Sequence, residues 1–524
     1  MSLQADLKQL NADQLRALAG NLLQQVEHQE QALELKDHQL QRKEQELHNK
    51  TVLNEKLTYE LAILKRYRFG RRSEGMNPDQ ASLLDELVDS DIAAIEAELP
   101  EPAPEPPAKP AQQPRRQPLP PELPRTIIAH EPDSTACRCG CQLKRIGEDV
   151  SEKLDYTPGE FTVERHVRGK WVCGDCETLV QAPVPAQVID KGIPTAGLLA
   201  HVLVAKYADH LPLYRQESIF GRAGYAIPRS TLAEWVGRCG VALQPLVDAL
   251  RDELIKVAIL HADETPVPML APGKKKTHQA YVWAYASPRQ SALQAVIYEF
   301  APSRAGKHAR AFLDGWQGKL VCDDFAGYKA GFEQGMTEVA CWAHSRRKFY
   351  DLHTAKQSTL AAQALDIIGQ LYAIETEAKD LSASERRQLR QARAAPIIDE
   401  LYHWLIEQRQ KVPKGSAISK AIHYSVKRWP ALTRYLEDGD IPIDNNWVEN
   451  QVRPWALGRK NWLFAGSLRS GQRAAAVMSL IQSAKNNGHD PYAYLKDVLD
   501  RLPMQKARAI NELLPHNWVP ADKM

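Results

Sequence analysis

The sequence predicts a multidomain protein of mixed α/β class, and three observations predict it. A column of residues spaced by seven, Val26, Leu33, Leu40, Leu47, Asn54 and Leu61, marks a long N-terminal helix. Five of the eight cysteines gather between Cys137 and Cys176. Beyond them, residues 255–341 alternate β-prone and helical runs, and residues 343–440 read as almost wholly helical. A chain of 524 residues has room for about three to five domains. Its content, 44% hydrophobic and 25% charged, is that of a globular protein and excludes wholly disordered, collagen-like and disulfide-scaffold classes. No apolar run approaches the ~18 residues of a membrane span. The opening MSLQADLKQL has neither the basic nor the apolar region of a signal peptide. A cytoplasmic protein without a membrane partner is expected.

Residues 1–66 are expected to form a leucine-rich coiled coil that pairs protomers into a homo-oligomer. The second apolar column is weak: counting three onward from the first gives Gln29, Lys36, Lys43 and Lys50 before Leu57 and Leu64. The alternative is a long solvated helix. Residues 67–125 read as a linker, basic at first, then acidic and proline-rich. The net charge of +2 hides a strong segregation. Lys65, Arg66, Arg68, Arg71 and Arg72 form a basic block, a candidate nucleic-acid contact. No basic residue then occurs before Lys109, while Glu74, Asp79, Asp85, Glu86, Asp89, Asp91, Glu96 and Glu98 follow in series. Eleven prolines between Pro100 and Pro124 predict an extended, semi-rigid connection.

Residues 126–186 carry the cysteines as Cys137-Arg-Cys139-Gly-Cys141 and Cys173-Gly-Asp-Cys176. In a cytosolic chain such clustering points to metal before disulfides. Two thiolate pairs on opposed turns make a tetrahedral four-sulfur site that suits structural Zn²⁺. Five cysteines compete for four places. Cys173, Cys176 and Cys139 are the first choices, and the fourth ligand is Cys137 or Cys141. Arg138, Lys144, Arg145, Arg165, Arg168 and Lys170 make the module basic, which favours DNA over protein as its partner.

Residues 187–250 are expected to hold a helix-turn-helix region. Helices are read over Thr195–Tyr207 and Pro212–Ala223, and a third opens at Pro228-Arg229-Ser230-Thr231 after the break Gly224-Tyr225-Ala226. Arg229, Ser230 and Thr231 are its candidate DNA contacts. Residues 251–480 form the candidate catalytic domain. Strands are expected at Lys256–Ala262, Gln279–Ala286, Leu293–Phe300 and Leu320–Cys322, with a helix over Ala305–Trp316. Residues 481–524 complete the chain as a C-terminal helical element.

Acidic residues stand at two strand ends, Asp263-Glu264 and Asp323-Asp324, and at a helix start where Asp444 or Asn445 can cap a helix carrying Glu449. Carboxylates crowded at one point repel unless cations join them, and hard oxygen ligands suit Mg²⁺ or Mn²⁺. Two such ions, roughly 3.5–4 Å apart, clamp the attacking and leaving oxygens of a phosphoryl transfer. Arg346, Arg347, Lys348, Arg453, Arg459, Lys460, Arg469 and Arg473 flank these motifs as phosphate-binding candidates. Trp447, Trp455 and Trp462 could stack on a distorted base, but core packing is the better reading. Cys341 and His344 could make a second metal site with Cys322. The plainer reading is a buried strand-end thiol and a polar helix-start histidine.

The ordered series His261-Ala-Asp-Glu-Thr265, Cys322-Asp-Asp-Phe-Ala-Gly-Tyr328, Cys341-Trp-Ala-His344, Arg346-Arg-Lys-Phe349, Ile443-Asp-Asn-Asn446 with Glu449, and Gly458-Arg-Lys-Asn-Trp-Leu-Phe-Ala-Gly466 resembles the transposases of the insertion sequence 66 family. The resemblance runs from the N-terminal helix to the C-terminus. It implies an RNase H-like core carrying an Asp-Asp-Glu triad, which falls on Asp263, Asp323 and Glu449. Asp323 rather than Asp324 matches the motif, and adjacent strand residues point to opposite faces. The same alternation makes Glu264 a hydrogen-bonding neighbour. The sequence departs from the family pattern at Asn450, where arginine is expected, and in its first cysteine cluster, where CxxC is expected. The 125 residues between Asp323 and Glu449 are too many for a plain connection. A helical insertion at about 350–440 is therefore expected.

The resemblance implies a transposase that binds the terminal inverted repeats of a bacterial element, cleaves its ends and transfers the strands to target DNA. It also implies companion proteins encoded by the same element. The contrasting reading is a zinc-dependent DNA-binding regulator with an inactive core.

Overall fold

The computed structural model describes residues 36, 39–47, 49–51, 53–54, 56–62, 64–65, 78–99, 119–132, 134–136, 141–157, 159–271, 277–356 and 358–520. Arg66, Arg68, Arg71, Arg72, Cys137 and Cys139 lie outside the described residues. The chain divides into two compact units. In the first, spanning Met1–Arg71 with Leu99–Glu101, residues 39–47 and 56–62 are helical. Leu40 and Leu47 of the seven-spaced column face solvent there, 56% and 67% exposed.

The second unit holds everything else. Its first helix, α1 (Pro78–Glu98), corrects the expectation of a linker over this stretch. The acidic stretch can pack as a helix because Val88, Ala93, Ala94 and Ile95 are buried on it and its buried acids Glu86 and Asp91 pair with Lys206 and Arg473. The Ser90 hydroxyl donates to the carbonyl of Ala233, 2.9 Å away on helix α4 (Arg229–Leu254).

A four-stranded sheet follows. Strand β3 (Glu160–Cys173) is central. It pairs antiparallel with β2 (Leu143–Thr157), and with β1 (Arg125–His130), parallel, and β4 (Leu179–Gln181), antiparallel. Helices α2 (Ala196–Tyr207) and α3 (Leu213–Arg222) precede α4. These are the three helices expected there, with ends shifted by a residue or so. Thr195 caps α2 through the Leu198 amide. Gly224, at φ +95°, makes the break before α4 that a residue with a Cβ would resist.

The five-stranded sheet positions the site. Its order is β7 (Val296–Ala301), β6 (His278–Ala286), β5 (Ile259–Met269), β8 (Lys319–Cys322), β9 (Thr337–Ala340). β6 runs antiparallel to both β7 and β5, and β8 and β9 run parallel to β5. Strand β9 is too short and too polar at its start to stand out in the sequence. The helix expected over Ala305–Trp316 shortens to α5 (Lys307–Phe312), and α6 (Lys329–Glu333) leads into β9.

From β9 the chain enters a run of helices: α7 (Trp342–Lys356), α8 (Thr359–Glu377), α9 (Ala383–Leu389), α10 (Ala395–Lys411), α11 (Ala417–Lys427) and α12 (Trp429–Thr433). They enclose their own apolar cluster, including Phe349, Leu371, Ile398, Leu401 and Ile422, closed against Ile259, Val321 and Val339 of the sheet. Arg390 is 1% exposed in this cluster. It pairs with Glu375 at 2.7 Å and donates to the carbonyls of Tyr435, Asp438 and Ile441. That clamp fixes the loop by which the chain returns to the sheet.

Helix α13 (Asn446–Trp462) lies against β5 and β6, with Trp455 buried in the core. Helix α14 (Leu468–Asn486) covers edge strand β7, whose Val296 and Tyr298 amides donate to Ser483 and Ser479 at 3.0 and 2.9 Å. A helix that satisfies an edge strand removes a template for unwanted pairing. Helix α15 (Pro491–Arg501) packs on α2. One continuous apolar core joins the first sheet, α2–α4, the five-stranded sheet and α13–α15. The three-helix segment expected to be a helix-turn-helix is thus built into the wall of the larger unit.

Candidate active site and nucleic-acid surfaces

Three acidic side chains from distant parts of the sequence approach one another at the C-terminal end of β8 and alongside β5. Asp263 lies within β5, Asp323 directly follows β8, and Glu449 is in the first turn of α13. Burial, then the neighbouring Glu264 and next the charges of Glu449 and Asp323, pushes the Asp263 carboxyl up to about 8. A buried carboxylate facing other carboxylates favours its protonated form. The Oε1 of Glu449 is buried and has no hydrogen-bond partner. Crowded oxygen donors with an unsatisfied buried atom fit a hard divalent cation.

The two acidic pairs divide, Asp263 and Glu264 by the alternation of β5, Asp323 and Asp324 in the turn that follows β8. Glu264 is almost wholly buried: its carboxylate accepts Arg304 Nε at 2.9 Å and the Tyr328 hydroxyl at 2.9 Å. Burial nonetheless holds it above the usual carboxylate range. Asp323 is half-buried and its carboxylate accepts the Phe325 amide at 2.9 Å. Asp324 is exposed, 3.8 Å from Arg428 Nε. Arg428 also donates to the Asp323 carbonyl at 3.1 Å and pairs with Glu338 at 2.6 Å, so it braces the turn that presents Asp323.

The start of α13 is tied to β5 by residues that cap chemistry alone does not reveal. Asn445 occupies the N-cap position, yet its side chain makes no capping bond. Asp444 accepts the Asn446 amide at 3.1 Å instead. The Asn445 amide group donates to the Ala262 carbonyl at 2.9 Å. Its Oδ1 therefore faces His261 Nδ1, 2.8 Å away, which must carry the proton and donate. Burial holds His261 neutral, with its pKa pushed down to about 4. The Asn445 backbone amide also donates to Cys341 Sγ at 3.1 Å. Asn445 thus fastens the Glu449 helix beside Asp263. Its position inside Asp444-Asn445-Asn446 is the only sequence signal for that role.

The thiol of Cys341, His344 and Glu449 meet beside the acids: one ligand atom from each lies within 4.8 Å of the others. Cys322 is not in this group, so the pairing of Cys341 and His344 with Cys322 gives way to one with Glu449.

The basic candidates separate into two sets. Arg346, Arg347 and Lys348 are exposed on the first turns of α7, and Arg347 approaches Glu449 at 3.5 Å. Arg453 and Lys460 are exposed along α13, whereas Arg459 donates to the Pro266 carbonyl at 3.0 Å. Arg473 is buried against Asp91 at 3.0 Å and Arg469 pairs with Glu98 at 2.6 Å, so both are held by α1. Trp455 belongs to the core, and Trp447 donates to the Ser287 carbonyl at 2.8 Å.

In the cysteine module, the ligand atoms of Cys141, Cys173 and Asp175 lie within 4.8 Å of one another. The register explains the meeting: Leu143 opposes Cys173 across β2 and β3. Cys176 is exposed and contacts the Thr178 hydroxyl at 3.1 Å, outside that group. Thiolates converging at two turns fit a structural zinc ion. A groove of about 1310 Å³ lies between this sheet and the start of α4. Lys153, Arg168, Arg238 and Thr231 line it, with Glu152 and Glu234 among them. Arg229 and Ser230 stand at the same helix start, half-buried and exposed.

Four family models cover most of the chain. The one described as the transposase IS66 family matches residues 191–473. The zinc-finger binding domain of transposase IS66 matches 134–177, and the IS66 C-terminal element 479–516. A model described as transposase C of IS166 homeodomain matches 56–128, across the stretch expected to be linker. Relatives from Sinorhizobium fredii (strain NBRC 101917 / NGR234) include uncharacterized protein y4jD, 37% identical over 88% of this chain and 94% of its own length. Another, y4qI, is 36% identical over 90% of each chain, and y4hP is 34% identical over 76% of each. Among the described residues, no helix is long and apolar enough to cross a membrane.

Proposed function

Because the chain belongs to the transposase IS66 family, we propose that it is a DNA transposase with an RNase H-like core, in which Asp263, Asp323 and Glu449 hold two Mg²⁺ or Mn²⁺ ions. One observation carries the reading. Asp263 of β5, Asp323 after β8 and Glu449 in the first turn of α13 come together, and burial with the acidic neighbours Glu264, Glu449 and Asp323 raises the Asp263 carboxyl to about 8, a conflict that divalent cations resolve. The mixed order of the five-stranded sheet supports the fold assignment. Bound there, the ions supply an activated water and stabilise charge on the scissile phosphate.

The chain's own groups do the rest. Arg346, Arg347, Lys348, Arg453 and Lys460 neutralise backbone phosphates beside the acids. Arg459, held by the Pro266 carbonyl, borders the same surface. Asn445 and His261 keep Glu449 in register with Asp263. Hydrolysis of one strand at each element end exposes a 3′-hydroxyl, which then attacks target DNA by transesterification. The basic block Arg66, Arg68, Arg71 and Arg72, within the matched homeodomain span, contacts the terminal inverted repeats together with Arg229, Ser230 and Thr231. Structural Zn²⁺ is held by four of Cys137, Cys139, Cys141, Cys173 and Cys176, and the approach of Cys141 to Cys173 supports Cys141 among them. The solvent-facing Leu40 and Leu47 support pairing of protomers through residues 1–66. Companion proteins of the same element join the complex in the bacterial cytoplasm, at the nucleoid.

The test is a nicking and strand-transfer assay on end-sequence DNA with Mg²⁺ or Mn²⁺. Metal-dependent nicking is expected. Specific binding without nicking, with the expected companions present, would instead identify a DNA-binding regulator.

A further inference from the structure

We propose that Cys341, His344 and Glu449 form a second, transition-metal site, which takes Zn²⁺ and thereby withdraws Glu449 from the catalytic acids. The proposal deepens the reading above, since the consequence for cleavage depends on Glu449 being a catalytic ligand. Two helix starts meet here. Cys341 immediately precedes α7, His344 lies in its first turn, and Glu449 lies in the first turn of α13. One sulfur, one ring nitrogen and one carboxylate oxygen fall within 4.8 Å of one another.

A second observation points to a ligand. Glu449 Oε1 is buried without a hydrogen-bond partner, although His344 Nε2 lies 3.7 Å from it. Such an orphan beside an imidazole and a thiol is unusual, because buried polar atoms are almost always satisfied. The imidazole is within 3.7 Å of the Glu449 carboxylate, too far for a hydrogen bond to settle the pair. Cys341 Sγ accepts the Asn445 amide. That contact orients the sulfur and leaves it lone pairs for a metal.

The donor set decides the ion. Asp263 and Asp323 offer only oxygen, which suits Mg²⁺ or Mn²⁺. A thiolate, an imidazole and a carboxylate, with a fourth position open to water, suit Zn²⁺. Zinc also binds mixed nitrogen and sulfur donors more tightly than the lighter divalent ions. On binding, the thiol proton leaves to bulk water. The ion at this site is separate from the one at Cys141 and Cys173, because the two clusters share no residue.

The experiment counts zinc per chain in full-length protein held in chelator-buffered zinc, by mass spectrometry, with circular dichroism matched across variants. Cys341→Ser and His344→Gln should each bind one ion fewer than wild type. Cys173→Ser should lose a different ion, so that Cys173→Ser combined with His344→Gln loses both. His344→Gln changes a partly exposed side chain and guards against misfolding of Cys341→Ser. Losing a direct ligand should weaken the site by at least the roughly tenfold that outer-shell changes cost. Equal zinc counts in wild type, Cys341→Ser and His344→Gln overturn the proposal. In the nicking assay, zinc added over Mg²⁺ should inhibit wild type, and His344→Gln should need at least about tenfold more zinc. An inactive wild type that still holds the extra ion overturns the catalytic reading and keeps this site. An active wild type lacking the ion does the reverse.

Discussion

The acidic helix α1 and the acidic cluster at the five-stranded sheet are built from the same side chains and treated in opposite ways. Along α1, Glu86 pairs with Lys206 and accepts the Leu213 amide at 2.9 Å. Asp91 pairs with Arg473 at 3.0 Å and accepts the Ser467 hydroxyl, and Glu98 pairs with Arg469 at 2.6 Å. At the sheet, Glu449 has only Arg347 and His344 at 3.5 and 3.7 Å, and among the described residues neither Asp263 nor Asp323 forms an ion pair. Burial raises both Asp91 and Asp263. The difference lies in what offsets it: Arg473 lowers Asp91, whereas Glu264, Glu449 and Asp323 raise Asp263 further. Buried charge is no sign of function by itself. Buried charge left unneutralised by its own chain is.

The largest test of that contrast removes charge from the unneutralised cluster. Glu449→Gln keeps the shape and removes the charge proposed to hold a cation. End cleavage and strand transfer should each fall at least ~100-fold in single-turnover assays, since metal-assisted stabilisation contributes several kcal/mol. Asp263→Asn and Asp323→Asn should behave alike. DNA-end binding should persist or tighten, because negative charge facing the phosphates is gone. Near-normal cleavage by Glu449→Gln would dissolve the comparison.

At the neutralised cluster the expected loss is in stability instead. Asp91→Ala leaves the Arg473 guanidinium buried without its partner. Breaking one side of a buried pair costs about 3–5 kcal/mol, to be read from urea unfolding. Glu98→Ala, in the part-exposed pair with Arg469, should cost no more than about 1 kcal/mol. Equal costs would mean that α1 is held by its apolar face alone.

The pH dependence sharpens the contrast further. The folded protein holds the Asp263 proton up to about 8, well above the ordinary carboxylate value of 3.8. Between those values the folded state binds more protons than the unfolded chain. Its metal-free stability should therefore fall as pH rises from about 4 to 8, and level off above that. Asp263→Asn should flatten this slope in thermal melts taken with chelator. An unchanged slope would place the titration elsewhere.

The smallest expected effect belongs to Asp324. It is exposed beside Arg428 rather than turned toward the other acids. Asp324→Asn should lower cleavage by no more than a few-fold, on the order of 1 kcal/mol. If it proves more damaging than Asp323→Asn, the adjacent pair has been assigned the wrong way round.

The sequence by itself determined those features that depend on neighbours along the chain. The three helices over 196–254, the strand preceding Asp323 and the burial of Trp455 follow from local periodicity, caps and apolar runs, whereas the strand expected to end at Ala262 runs on through Asp263 to Met269. The alternation of a strand also anticipates that Glu264 turns away to bond with Arg304 and Tyr328. Only the tertiary structure decided what depends on residues far apart. It turned the acidic stretch 78–98 from a linker into a helix, because the cations that neutralise it, Lys206, Arg469 and Arg473, lie more than a hundred residues away. It revealed Asn445 as the tie between α13 and β5, since a hydrogen bond to Ala262 across 183 positions leaves no periodic trace. It placed Cys341 and His344 with Glu449 rather than Cys322, because which side chains share a point is set by how helix starts pack on a sheet. Local free energies are written along the chain, but charge neutralisation and ligand sets are properties of the packed whole.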